Sequence, residues 1–168
     1  MPTASAKEKN SATSTSMIRT HLQYILNGDG AHADFNSAVK DFPEEQRGTR
    51  PQGASHSPWE VLEHLRIAQR DVLDGINNPN HVQPEFPSGY WPTSQQPKSA
   101  KDWDRSVISF KQDFQAILDL MDERDPMAPL HGSADQTIAR RLLMLADHTS
   151  YHLGELILLR RLLGAWNE

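Results

Sequence analysis

Four runs of apolar residues recur every three or four positions, and no run of four to eight alternates as a half-buried strand would. A chain patterned this way has helix faces to bury and no sheet to bury them against, so an all-α bundle follows. The first run spans about Met17 to Asn27, with Ile18, Leu22, Ile25 and Leu26 on one side. The "GDG" at Gly28 to Gly30 breaks it, and a continuation through Phe35, Val39 and Phe42 stops at Pro43. The second helix has the clearest start. Ser57 stands as N-cap, Pro58 takes the first helical position and Glu60 follows three residues after the cap, which is a capping box. That helix should reach Ile76. The segment "NNPNHVQPEFPSGYWPTSQQPKSA" then carries five prolines and no periodicity, a long connection of the functional or mobile kind.

The third helix begins near Ser99, with Asp102 in its first turn, and places Trp103, Val107, Phe110, Phe114, Ile117 and Met121 on one face. Ser133, followed three residues later by Gln136, reads as a second capping box, opening a last helix that runs to about Leu163. The expected fold is therefore an up-down-type four-helix bundle with a broken first helix and a long loop between helices 2 and 3.

With 168 residues, 37% of them hydrophobic, the chain suits one domain over residues 17–168. Residues 1–16, "MPTASAKEKNSATSTS", are small and polar and lack the apolar run of a secretory signal, so they read as a flexible N-terminal tail and the expected location is the cytoplasm. The most apolar window, Leu153 to Leu163, is interrupted by Glu155, Arg160 and Arg161, so no membrane span is expected. A formal charge of -5 argues against a nucleic-acid surface, which needs clustered Lys and Arg. The absence of cysteine removes disulfides, thiolate nucleophiles and Cys-containing zinc sites, so a metal would have to be held by His, Asp or Glu.

The last helix, "ADHTSYHLGELILLRRLLGAW", carries His148 and His152 about 40° apart on a wheel. Met144, Leu145, Leu156, Leu159, Leu162 and Leu163 flank them, so both rings point inward. Such a pair brings its Cβ atoms to roughly 5–6 Å, close enough for both rings to hold one ion. Hydrogen-bonded interior histidines are the plainer account of an isolated pair, so metal binding needs a third ligand. His64 is the natural candidate on a facing helix. It stands at the edge of the stripe made by Val61, Leu65, Ala68 and Val72, where a partly exposed histidine is equally at home.

Three stretches, "HSPWEVLEHLRIAQRDVL", "YWP" and "ADHTSYHLGELILLRRLLGAW", closely resemble the DinB-like (DinB/YfiT-like) superfamily of metal-dependent enzymes, in the same order and spacing over roughly residues 17 to 166. The resemblance implies a four-helix bundle in which His64, His148 and His152 bind one divalent ion, with the remaining coordination positions open. Thiol transferases of that superfamily act with low-molecular-weight thiols such as bacillithiol or mycothiol. Nothing in this sequence identifies a pocket for either.

Three neutral imidazoles would leave the ion its full charge and at least one open position, so both hydrolysis and thiol transfer are reachable. Position 149 is Thr, so the "HExxH" arrangement of helix metalloproteases is absent. Glu155, one turn beyond His152, and Asp71, two turns beyond His64, could each orient a ligand histidine or take a proton; each could equally pair with Arg141 or Arg66. His32 follows the break in the first helix and could contact substrate or add a ligand, while Tyr90 and Trp91 could form a lid or a hydrophobic plug. His21, His56, His81 and His131 read as surface or loop residues. Gly154 costs about 1 kcal/mol relative to Ala in a helix, which suggests close approach of a neighbouring helix. Leu143, Leu153 and Ile157 lie off the inward stripe, consistent with contact to the first helix or a homodimer face.

The expected function is a metal-dependent enzyme, a thiol S-transferase or hydrolase, acting on a small molecule. Zinc or nickel is the expected ion, with iron or manganese as alternatives. The alternatives in other classes are a non-catalytic, metal-binding stress-related protein and a helical interaction module.

Overall fold

A computed structural model describes residues 4–28 and 31–166. Helices α1 (Ala4–Asn27), α2 (Phe35–Val39), α3 (Pro58–Asn77) and α4 (Ala100–Glu123) are followed by a hairpin of β1 (Pro129–Leu130) and β2 (Ser133–Thr137), then by α5 (Ile138–Leu162). The four long helices make the bundle: α3 packs on both α4 and α5, and α1 packs mainly on α5. Among the described residues, no helix is long and apolar enough to cross a membrane.

Local chemistry explains most of the boundaries. Gly28 takes the left-handed conformation (φ 71°) that ends α1, and Asp34 restarts the chain as N-cap of α2 by accepting from the Ser37 amide at 2.8 Å. At α3 the capping box is complete. Ser57 Oγ accepts from the Glu60 amide while the Glu60 carboxylate accepts from the Ser57 amide. The long connection after α3 is pinned rather than loose, since Ser57 Oγ also donates to the Gln95 carbonyl and Gln95 Nε2 to that of Gly48.

Three expectations need correction. Helix α1 begins at Ala4, not Met17, so the polar run expected as a flexible tail is helical from there, while residues 1–3 of that run lie outside the described residues. Ala4, Ala6, Lys7, Glu8 and Lys9 are good helix formers, and extending an existing helix adds one hydrogen bond per residue without a new nucleation cost. Ser133 does not cap α5; it pairs with Leu130 across the hairpin, a small strand pair that the apolar pattern did not foretell. His131 (φ 50°) and Gly132 (φ 79°) form the two-residue turn with both centres left-handed, and Thr137 takes over as N-cap by accepting from the Arg140 amide. Finally, α2 stops at Val39; Phe42 is buried beyond its end, after Asp41 at φ 50°.

The core falls into two clusters. One joins the C-terminal half of α3 to the N-terminal half of α5 through Val72, Leu73, Ile76, Leu142 and Leu145, with Leu22, Ile117 and Met121. The other joins the N-terminal half of α3 to the C-terminal half of α5 through Val61, Leu62, Leu65, Leu153, Leu156 and Leu159, with Trp59, Trp103 and Phe110. Each large side chain so buried contributes about 1.5–3 kcal/mol. His64, His148 and His152 occupy the antiparallel α3–α5 seam near the boundary of the two clusters.

Ser57→Ala should lower stability by roughly 1–2 kcal/mol, read as a lower urea midpoint with an unchanged m-value, whereas Ser133→Ala should stay within about 0.5 kcal/mol of the parent. Equal losses at the two serines would contradict the assignment of Thr137 as the cap of α5.

Candidate metal centre

His64 comes from the second turn of α3, and His148 and His152 come from adjacent turns of α5. His64 and His152 are buried and His148 is half-buried. His64 Nε2 lies 3.0 Å from His148 Nε2 and 3.1 Å from His152 Nε2. Nitrogens bound to one ion at about 2.0–2.1 Å, tetrahedrally or at right angles, stand roughly 2.8–3.4 Å apart, so the spacing fits a shared divalent cation.

The protons on the far side of two rings are accounted for. His64 Nδ1 donates to the Tyr90 carbonyl at 2.8 Å, and His152 Nδ1 donates to Glu155 Oε2 at 2.9 Å. Each bond fixes the tautomer that leaves Nε2 as a bare lone pair, the form a metal requires. Burial pushes the His64 ring below its ordinary pKa, against the opposing pull of the Tyr90 carbonyl. Burial, reinforced by the nearby His152 and His64 rings, pushes His148 down to about 4. Both rings are therefore neutral at pH 7 and need shed no proton to become ligands.

A second layer surrounds them. The Trp91 ring lies flat against His64 (centroids 4.0 Å apart, 4° between planes), and His56 stacks on Trp91 at 3.9 Å and 17°. His56 Nδ1 then donates to Glu155 Oε1 at 3.1 Å. Glu155 thus joins His56 to His152, and its carboxyl is held below the usual range first by the His152 hydrogen bond and then by His56, against the effect of burial.

The other residues singled out in the sequence take definite places. Asp71 is buried and accepts from the Tyr90 hydroxyl at 2.8 Å and from His81 Nε2 at 2.6 Å; it pairs with neither Arg66 nor Arg141 and reaches the centre only through Tyr90. Burial and the Asp71 bond raise the Tyr90 phenol to about 12, so it remains a proton donor to that carboxylate. Tyr90 contributes its carbonyl to His64, while Trp91 forms a wall of the site. His32 is exposed, with Nε2 3.2 Å from Ser150 Oγ, and lines a cavity of about 380 Å³ with Phe35, Gln69 and Phe110; none of the three clustered histidines lines that cavity. Glu63 takes Arg66 as its partner.

His56 and the Tyr90 carbonyl are the groups that sequence reasoning missed. His56 stands just before the α3 cap, outside any helical periodicity, and a backbone carbonyl has no sequence signature. His81, read as a loop residue, is tied to Asp71. His131 is exposed and donates to the Gly75 carbonyl, and His21 is exposed.

A family model described as the DinB superfamily matches residues 28–156. The chain belongs to the DinB superfamily. Within the matched span lie all three clustered histidines, together with His56, Trp91 and Glu155; the whole of α1 and the last turns of α5 lie outside it. Comparisons with curated proteins and with solved structures return no match. The three histidines form a group able to hold a metal ion, as expected for a DinB-like protein.

Two outcomes follow. His148 takes up a proton near its ordinary value of about 6.5 when unfolded, but only near 4 when folded, so the unfolded state binds more protons in between. Chelator-treated protein should lose stability as pH falls from about 6.5 toward 4, seen as a declining urea midpoint, and His148→Gln should flatten that decline. Glu155→Ala should weaken Zn or Ni binding by about 10–100-fold in chelator-competition titrations, with helical circular dichroism unchanged. Undiminished affinity would remove Glu155 from the support of His152.

Proposed function

We propose that this DinB-superfamily chain is a cytoplasmic metal-dependent enzyme acting on a small molecule, with thiol transfer the reaction its site supports best and hydrolysis second. The observation carrying this reading is the convergence of three Nε2 atoms on one point, 3.0 and 3.1 Å from the His64 nitrogen to the other two. Zinc or nickel suits an all-imidazole donor set, with iron or manganese the next choices. A divalent ion held there would supply Lewis acidity, drawing the pKa of a bound water or thiol toward neutrality.

The chain's own residues do the rest. Tyr90 and Glu155 hold the Nδ1 protons of His64 and His152, which keeps both lone pairs aimed inward. Trp91 covers one side of His64 and shields it from water. Three neutral ligands leave the charge of the ion uncancelled, unlike a closed structural site rich in thiolates.

The distinction between the two reactions turns on proton acceptors. Glu155 already accepts from two imidazoles, and Asp71 from Tyr90 and His81. Neither carboxylate stands ready to take a proton from an incoming nucleophile. That favours a nucleophile whose proton leaves easily, and a thiol, with an ordinary pKa of about 8.5, is far better placed than water at about 15.7. A low-molecular-weight thiol is accordingly the proposed co-substrate.

Protein stripped with chelator and reloaded with Zn, Ni, Fe or Mn should bind about one ion per chain and transfer small thiols to electrophiles, with turnover reduced at least 100-fold in His64→Ala. Turnover of ester or amide panels alone would favour hydrolysis. A full complement of ion with no turnover on either set would favour the non-catalytic metal-binding protein, and retention below about 0.2 equivalents would favour a helical interaction module.

A further inference from the structure

The two core clusters do not close on one another. Between them lies the cavity of about 380 Å³, lined by Leu145 from one cluster and by Phe110 and Leu153 from the other. It sits roughly a third of a turn round α5 from His148 and His152, and none of the three clustered histidines lines it. Its walls are aromatic: Phe35 of α2 stacks on Phe110 of α4 (centroids 4.0 Å apart, 18° between planes), and Phe114 lines it one turn further along α4. Small-molecule sites occupy about 300–1,000 Å³, and a dry apolar cavity of only ~150 Å³ already admits benzene.

Gln69 distinguishes this cavity from a packing defect. It lines the cavity from α3 and is 1% exposed. Its Nε2 donates to the Phe110 carbonyl at 2.6 Å; a carbonyl only accepts, so that bond fixes which way the amide faces. Oε1 is left turned away, and among the described residues no group donates to it. A buried acceptor without a donor is costly, and an occupant that donates there recovers the loss. The mouth is built rather than loose. His32 rests against Gly28, where an added Cβ would come within 3.1 Å of the ring, and His32 Nε2 lies 3.2 Å from Ser150 Oγ on α5. Gly154, for which the sequence suggested close approach of a helix, has no such neighbour: a Cβ built there meets nothing within 4 Å.

We propose that this cavity is a second binding site, separate from the three-histidine cluster, for a flat, neutral aromatic molecule that carries one N–H or O–H group and is about the size of indole. The occupant's ring lies against Phe110 and Phe114, and its donor reaches Gln69 Oε1. A hydrocarbon without a donor would leave that oxygen unsatisfied. Asp34 and Lys111, the acid and the base that line the cavity, are of opposite sign, so the site selects by shape and one hydrogen bond rather than by net charge. The inference does not rest on the metal reading, because its residues are not those of the histidine cluster.

Indole titrated into the full chain, followed by calorimetry and by proton–carbon methyl spectra, tests this. Binding should saturate with a Kd below about 1 mM. The methyls of Leu145 and Leu153 should shift, while those of the exposed Leu143 and Leu158 stay in place. Gln69→Leu should weaken indole binding at least roughly fivefold without weakening that of benzothiophene, which has the same shape and no N–H. Gln69→Met makes the same comparison with an unbranched side chain should the leucine variant fold poorly. His64→Ala should bind indole as the parent does. The proposal is overturned by absence of saturable binding, by shifts confined to the outer leucines, or by equal losses of indole and benzothiophene in the Gln69 variants. Loss of indole binding in His64→Ala overturns it too, since that would put the ligand at the histidine cluster.

Discussion

Three imidazole nitrogens facing one another in the bundle interior are the constraint around which this structure is arranged. Lone pairs crowded to about 3 Å repel unless something holds each ring from behind, and two of the holders are explicit: the Tyr90 carbonyl on His64 and the Glu155 carboxylate on His152. Burial contributes as well, by keeping His64 and His148 neutral. A protonated ring at this point would face two others at the same distance in a poorly solvated seam, a costly arrangement.

Seen from that centre, the long loop between α3 and α4 acquires a purpose. Tyr90 is held at its hydroxyl by Asp71, itself fixed by His81, and offers its carbonyl to His64. Trp91, the next residue, stacks between His56 and His64. Ser57 ties the same loop to the start of α3 through Gln95, at the very residue that caps the helix carrying His64. The connection therefore serves as the outer shell of the three-histidine cluster, which explains how a proline-rich stretch without periodicity can be well placed.

The two carboxylates linked to the centre, Glu155 directly and Asp71 through Tyr90, illustrate how environment divides roles. Each is engaged by two donors. Their energetic contribution goes into orientation: Glu155 acts on His152 directly, and Asp71 acts through the loop. Removing either would leave a buried or half-buried donor without its acceptor, so the cost spreads beyond the single bond lost.

Much of this was legible in the residues themselves. Helical periodicity revealed the bundle, "SPWE" located the start of α3, "GDG" the break after α1, and a spacing of four put His148 and His152 on one inward face; these depend on interactions within a few turns, which local sequence encodes. The hairpin before α5 escaped because His131 adopts a left-handed backbone that only its strand partners enforce. The convergence of His64 on the α5 pair, 84 and 88 residues away, was decided by how α3 and α5 pack. So were the seat of Trp91, the Tyr90 carbonyl and the linkage through His56. Periodicity specifies which way a side chain faces along its own helix; the distance between two helices is set by the summed burial of all the residues between them, and no local stretch contains that sum.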